Sequence, residues 1–210
     1  MKKVAIIGAG ELGIQILHLL LESGEYEISG FYDDLIPLDT VLLDKYNVLN
    51  KTSEIMSDFN NMRFDVLAIG IGYKHMDKRK EFYDYFSKSI PFATIIHNSC
   101  IIHPTSIIEK GSVLYPGCII DKNVHIGQNV LLNLGVIISH DSIIENNSFF
   151  APSATLGGFV KIQESCFIGI GVNIIDNITI TKEVILGAGA LVINNIKKPG
   201  KYIGFPAKQR

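Results

Sequence analysis

The 210-residue chain has little charge and almost no cysteine: charged residues make up 19% of it, and it holds three cysteines. Three thiols exclude a disulfide framework of the kind that supports small secreted domains. Disorder is excluded as well, because hydrophobic residues reach 47% and a disordered chain is poor in them. Long apolar runs are missing: none approaches the ~18 residues that a membrane-spanning helix requires. Met1-Lys2-Lys3 leads straight into a strand-like run, without the apolar segment and small-residue cleavage site of a secretory leader. A cytoplasmic location is expected. No broad basic face exists, which removes general nucleic-acid binding. The net charge of −2 divides into −4 over residues 1–95, −2 over 96–197 and +4 over 198–210. The last segment carries Lys198, Lys201, Lys208 and Arg210 with no acid, and reads either as a solvated tail or as a partner for an anion.

What the sequence has in abundance is a six-residue rhythm. Stepping in sixes from Ile96 through Ile102, Ile108 and Leu114 to Leu186 and Val192, seventeen successive first positions are all apolar. The fifth positions, from Cys100, Ser106 and Ser112 to Ala190 and Ile196, are all small or β-branched. A period of six fits neither a helix, at 3.6, nor a strand, at 2. It fits short strands joined by tight corners and wound into a parallel β-helix. Three hexads make an 18-residue coil, so residues 96–197 predict nearly six coils, a prism about 27 Å tall at the spacing of neighbouring strands. First and fifth positions point inward. All three cysteines, Cys100, Cys118 and Cys166, sit at fifth positions, so they read as packed structural thiols rather than nucleophiles or metal ligands.

Residues 1–95 have a different rhythm. Strands are expected over Lys3–Ile7, Glu27–Tyr32, Phe64–Ile69 and Phe92–Ile96, and helices over Glu11–Glu22, Lys51–Asn60 and His75–Lys88. Alternation of this kind implies a parallel sheet with helices on its faces. The turn Gly8-Ala9-Gly10-Glu11-Leu12-Gly13 joins the first strand to the first helix. It is a G-x-G-x-x-G turn in its required context, with free helix amides facing an anion. Asp33 follows Gly13 by twenty residues and has Asp34 beside it, the spacing of a ribose-binding acid. Two observations argue against NAD: the unit is smaller than the two-halved dinucleotide fold, and no partner for a hydride donor is visible. The two acids read equally as contacts to a ribose or base edge, or as a solvated turn.

A small Rossmann-like unit followed by hexads resembles the NeuD/PglD-type sugar acyltransferases over essentially the whole chain. Three stretches carry the likeness: Gly8-Ala9-Gly10-Glu11-Leu12-Gly13 with Asp33-Asp34, the run Asn133 to Asp141, and Gly204-Phe205-Pro206-Ala207-Lys208. The fold class expected is therefore an α/β N-terminal Rossmann-like parallel sheet (residues 1–95) plus an all-β C-terminal left-handed parallel β-helix (96–197), with 198–210 as a tail near the cofactor adenine. The handedness, a homotrimeric state and acetyl-CoA as co-substrate are what the resemblance implies.

The resemblance also implies site residues. His140, at a corner and outward-facing, becomes a general base, with Asp141 fixing its tautomer. Asn133 becomes an acceptor-positioning residue. Gly10, Glu11 and Leu12, through backbone amides, with Asp33 and Asp34, become nucleotide contacts. Phe149, Gly158, Ile170, Gly171, Ala188, Pro206 and Lys208 become cofactor contacts. Relatives often carry a second histidine nine residues after the first, where this chain has Phe149. That departure removes one carbonyl donor, and a backbone amide, at Gly158, is the substitute. His18, His75, His97, His103 and His125 read as surface or packing residues.

The expected activity is acetyl-CoA-dependent N-acetylation of a UDP- or dTDP-linked 4-amino-4,6-dideoxy sugar by direct attack, without a metal. Two alternatives stand beside it: O-acetylation of a sialic-acid-type sugar, and a non-enzymatic nucleotide-binding module that uses the β-helix only for assembly.

Overall fold

The computed structural model describes residues 1–43 and 45–210. The chain divides into two compact units, Met1–Ile95 and Ile96–Arg210.

In the first unit, β1 (Lys2–Ile7) is the centre of a sheet flanked in parallel by β2 (Tyr26–Tyr32) and β5 (Val66–Ile69). Val4 to Ile7 are all fully buried, which is why this run is continuously apolar rather than alternating. Helix α1 (Glu11–Ser23) ends on Gly24 in the left-handed region, φ 64°, a conformation that glycine adopts without steric cost. Helices α2 (Ile55–Asn60) and α3 (Met76–Phe86) are each preceded by a short 3-10 turn, so they begin later than the periodicity predicts. The expected strand over Phe64–Ile69 shortens to β5, and Phe92 makes a single parallel bridge to Leu67.

The sheet also holds two strands with no sequence counterpart above, β3 (Val41–Leu42) and β4 (Tyr46–Asn50), in the order β3-β4-β2-β1-β5. Strand β4 pairs in parallel with β2, and β3 closes onto β4 as an antiparallel hairpin. The hairpin places Thr52 close to the end of β2, where it meets Asp34.

The second unit is a parallel β-helix with three stacked sheets. Two-residue strands such as Ile119–Ile120, Ile137–Ile138 and Thr155–Leu156 form the first sheet, each paired with the strand 18 residues on. His125–Ile126, Ile143–Ile144 and Lys161–Ile162 lie in the second, and Leu131–Leu132, Phe149–Phe150 and Phe167–Ile168 in the third. Every first position from Leu114 to Val192 and every fifth position from Ser112 to Ala190 is buried.

The fifth-position slot explains which small residues it accepts. Ser112, Ser142 and Ser148 donate to the carbonyls of Gly127, Gly157 and Gln163, each fifteen residues on. Their hydroxyls also accept from the amides of Val130, Val160 and Cys166. The thiols of Cys100, Cys118 and Cys166 point at Tyr115, Asn133 and Thr181 carbonyls in the same way. A buried hydroxyl is tolerated because both its donor and its lone pair are satisfied, and sulfur occupies the same place with a weaker donor.

The repeat does not run to its last hexad unchanged. Ile196 bridges Ile180, sixteen residues back, and Gly200–Ile203 pairs with Val184–Leu186 at the same offset. The final coil is therefore two residues short. Lys208–Gln209 then turns back antiparallel on Gly200–Ile203, so residues 198–210 belong to the third sheet's ladder.

Candidate active site

His140 stands at the corner between the first sheet (Ile137–Ile138) and the second (Ile143–Ile144), with its side chain 39% exposed. The corner needs a left-handed residue, and Asp141 supplies it at φ 58°, which Asp tolerates better than most side chains. The turn brings the two side chains together: His140 Nδ1 lies 2.9 Å from Asp141 Oδ2. An ionised carboxylate is acceptor-only, so Nδ1 carries the hydrogen. Nε2 is left with the free lone pair, the arrangement a general base needs.

Asp141 has a second partner one coil back, where Asn123 Nδ2 donates to Oδ1 at 3.0 Å. The Asn123 amide first, and the His140 ring second, hold the Asp141 carboxyl below its ordinary pKa. It therefore stays ionised wherever the imidazole is neutral. Asn123 was not singled out from sequence, although stepping back 18 residues from Asp141 leads to it.

Beyond the ring, one coil forward, lies Gly158. A Cβ on Gly158 would sit 2.7 Å from His140 Cε1 and 2.8 Å from Nε2, distances that real side chains do not reach. Glycine at 158 is thus explained by the imidazole, which lies against its backbone with Cε1 nearest. Phe159 follows, with its ring 5.2 Å from the His140 ring and perpendicular to it.

The remaining candidates lie elsewhere on the prism. Asn133, Ile170, Gly171 and Ala188 occupy the corner between the third and first sheets, one sheet away from His140. Asn133 Oδ1 accepts from the Leu134 amide at 2.7 Å, a turn-stabilising bond. Ile170 is 59% exposed. Added Cβ atoms on Gly135, Gly171 and Gly189 would meet nothing within 4 Å, so this corner is open at those three rungs, with Ser153 between the first two. Phe149 is buried in the third sheet, its ring 5.9 Å from that of Phe167. Pro206 and Lys208 are exposed in the closing hairpin, where the Ala207 amide bonds to the Leu191 carbonyl at 2.7 Å. Within one protomer the structure brings His140, Asp141 and Gly158 together, and leaves Asn133, Phe149, Ile170, Gly171, Ala188, Pro206 and Lys208 apart from them. Burial pushes the Cys166 thiol up to about 12.

In the first unit the glycine turn is shaped for close packing. Gly8 is left-handed at φ 94°. A Cβ on Gly13 would lie 2.0 Å from the Gly8 carbonyl oxygen, so α1 can rest on β1 only with glycine there. Gly10, the residue that caps α1, is different: a Cβ there meets nothing within 4 Å, and no side chain caps the helix. The chain's own packing does not require glycine at 10, and no side chain stands where a Gly10 Cβ would point. Asp33 Oδ2 accepts from Ala9 N at 2.8 Å, while Oδ1 accepts from the amides of Leu35 and Ile36. Asp34 instead turns to Thr52, accepting from its amide and its hydroxyl. Asp33 thus stands at the turn, while Asp34 is tied to Thr52.

Comparison with known proteins covers both units. Residues 3–86 match the family profile of the PglD N-terminal domain, and residues 92–200 that of the GMPPB C-terminal domain. Among solved structures, the acetyltransferase domain of PglB from Neisseria gonorrhoeae, in complex with acetyl coenzyme A, is 26% identical. Its TM-score is 0.90, over 100% of this chain and 99% of its own. The perosamine N-acetyltransferase from Caulobacter crescentus, solved with CoA and GDP-perosamine, is 23% identical with TM-score 0.92 over 100% and 97%. WeeI from Acinetobacter baumannii is 23% identical with TM-score 0.86 over the full length of both chains. The Rossmann-like sheet, the β-helix and these matches agree: residues 92–200, just over half of the chain, place it in the family of the GMPPB C-terminal domain, the chain as a whole is similar to NeuD/PglD-type sugar acyltransferases, and it is an acyltransferase.

Proposed function

We propose that this protein transfers the acetyl group of acetyl-CoA to the amine of a nucleotide-linked 4-amino-4,6-dideoxy sugar, with His140 as general base. The observation that carries the reading is the His140 Nδ1–Asp141 Oδ2 contact at 2.9 Å, which leaves Nε2, beside Gly158, as the ring nitrogen with a lone pair to act as base. The amine nitrogen attacks the thioester carbonyl carbon. As the N–C bond forms, Nε2 takes the amine proton, and the resulting imidazolium is stabilised by the ionised Asp141. The C–S bond then breaks, and the imidazolium returns the proton to the departing thiolate. No acyl-enzyme is needed.

The sugar's diphosphate would meet the amides of Glu11 and Leu12 beyond Gly10, with Asp33 steadying the turn through Ala9. UDP or dTDP is the nucleotide expected there from the family resemblance, while the Caulobacter relative was solved with a GDP sugar. The pantetheine arm would lie along the column of Gly135, Gly171 and Gly189, against Ile170 and Ala188. This column and His140 stand on different corners of one prism. Both can serve one acetyl group if a second copy brings its corner alongside, which is a physical reason for a homotrimer with its sites between subunits. Pro206 and Lys208 would then flank the adenine end.

The test is a panel of UDP-, dTDP- and GDP-linked 4-amino sugars, with sialic acid included, assayed with acetyl-CoA by thiol release and mass spectrometry. One amino sugar nucleotide should be acetylated on nitrogen, and His140→Ala should lower that turnover by ~10²–10⁴ while the melt is unchanged. Turnover in His140→Ala equal to the parent's would remove the base assignment. Acetylation of sialic acid alone would replace the acceptor.

A further inference from the structure

The corner that carries His140 repeats every 18 residues, and its fourth-position residues stack as a column: Asn123, Asp141, Phe159 and Asn177. All four are left-handed, with φ between 56° and 59°. Asn and Asp visit this region readily, whereas a bulky side chain there is a strained exception. Phe159 is the only aromatic among the non-glycine residues of positive φ in the described structure.

Core packing does not account for it, since Phe159 is 55% exposed. A strained, exposed aromatic is retained when it does something a relaxed residue would not. What Phe159 touches is the imidazole. Its ring stands edge-to-face with that of His140, centroids 5.2 Å apart and planes at 90°, the favoured geometry for an aromatic pair. Its amide also donates to the His140 carbonyl at 3.0 Å.

We infer that Phe159 is a positioning residue for His140: its ring completes a three-sided hold on the imidazole and fixes the direction of Nε2. Asp141 grips Nδ1, Gly158 abuts the ring at Cε1, and Phe159 stands edge-to-face against it. The hold leaves Nε2 as the free polar atom. This inference rests on the reading of His140 as base, and it goes beyond it by assigning a further residue to the same step.

The discriminating variant is Phe159→Asn, which installs the residue type that the column otherwise uses. A structural role for Phe159 predicts loss of stability. The positioning role predicts the reverse combination: a melting temperature equal to or above the parent's, KM for both substrates within about twofold, and kcat lower by on the order of 10-fold, because the ring is still held on two sides. Phe159→Tyr, which keeps the ring, should restore kcat, and Phe159→Leu should not. The substrates are acetyl-CoA and the nucleotide amino sugar that the parent turns over.

Unchanged kcat in Phe159→Asn overturns the inference, as does a kcat loss that tracks a lower melt and that Phe159→Tyr does not rescue. Failure of the underlying reading looks different: His140→Ala would then be as active as the parent, or no amino sugar nucleotide would be turned over at all.

Discussion

Substituting Gly158 by alanine tests the site with one methyl group. The backbone at 158 is not left-handed, so alanine adds no strain of its own. Its Cβ would sit 2.7 Å from His140 Cε1, 2.8 Å from Nε2 and 3.2 Å from Nδ1. Non-bonded carbons come to rest at about 3.5–4.0 Å, so the imidazole must retreat by about 1 Å. A displacement of that size costs on the order of 10²-fold in a positioned reaction. The stability cost is small by comparison. Overpacking costs about 1–3 kcal/mol in a closed core, but the His140 side chain is 39% exposed and borders solvent rather than a closed core, which puts the cost near the lower end. For a chain of this length ~1 kcal/mol moves the melt by about 2–4 °C. Gly158→Ala should therefore lower kcat by roughly 100-fold, leave KM for acetyl-CoA and acceptor near the parent values, and melt within a few degrees of it. Steady-state thiol release and thermal denaturation measure these quantities. A Gly158→Ala enzyme with parental kcat would mean that the imidazole does not act from the place the structure gives it.

Three further outcomes follow from the geometry. The glycine turn separates structural from functional glycines: Gly13→Ala, whose Cβ meets backbone at 2.0 Å, should unfold the first unit by circular dichroism, whereas Gly10→Ala should melt like the parent and bind nucleotide diphosphate more weakly by calorimetry. Asp141 has a depressed pKa, so its contribution to stability is present above the unfolded-state value and is lost as pH falls through the folded one. The difference in melting temperature between the parent and Asp141→Asn should accordingly shrink on acidification below pH 4. Cys166→Ser puts a hydroxyl in a slot that Ser112, Ser142 and Ser148 already fill, so activity and melt should both stay close to the parent's.

Which features could be read from sequence follows from how local their causes are. The β-helix is written six residues at a time, because one coil of short strands repeats the same inward positions. Phase errors appear only where the rule is broken non-locally. The shortened last coil depends on the hairpin after it, and nothing within Asn194–Lys197 announces the two-residue loss. The β3–β4 hairpin escaped for a similar reason: Val41–Leu42 is too short for alternation, and β4 is fixed by its pairing with β2. At the candidate site, the contact between His140 and Asp141 was legible because they adjoin in the chain. Asn123 and Phe159 were not, since they meet the pair only through stacking at an offset of about 18. Asp33 and Asp34 read as twins, yet the fold gives one to the Ala9 amide and the other to Thr52.

A stack of parallel rungs has no inherent reason to stop, since each added coil presents the next with the same unpaired edge. The reversed strand Lys208–Gln209 changes the direction of the outermost rung on one face, while on another the Gly204 carbonyl accepts from the Leu191 amide and the Ala207 amide donates to the Leu191 carbonyl. Such a lid removes the template on which a second prism could continue the ladder. Cutting the chain after Lys198 should thus produce a protein that folds but joins end to end into rods, a growth that the chemistry of the twelve lost residues would not suggest.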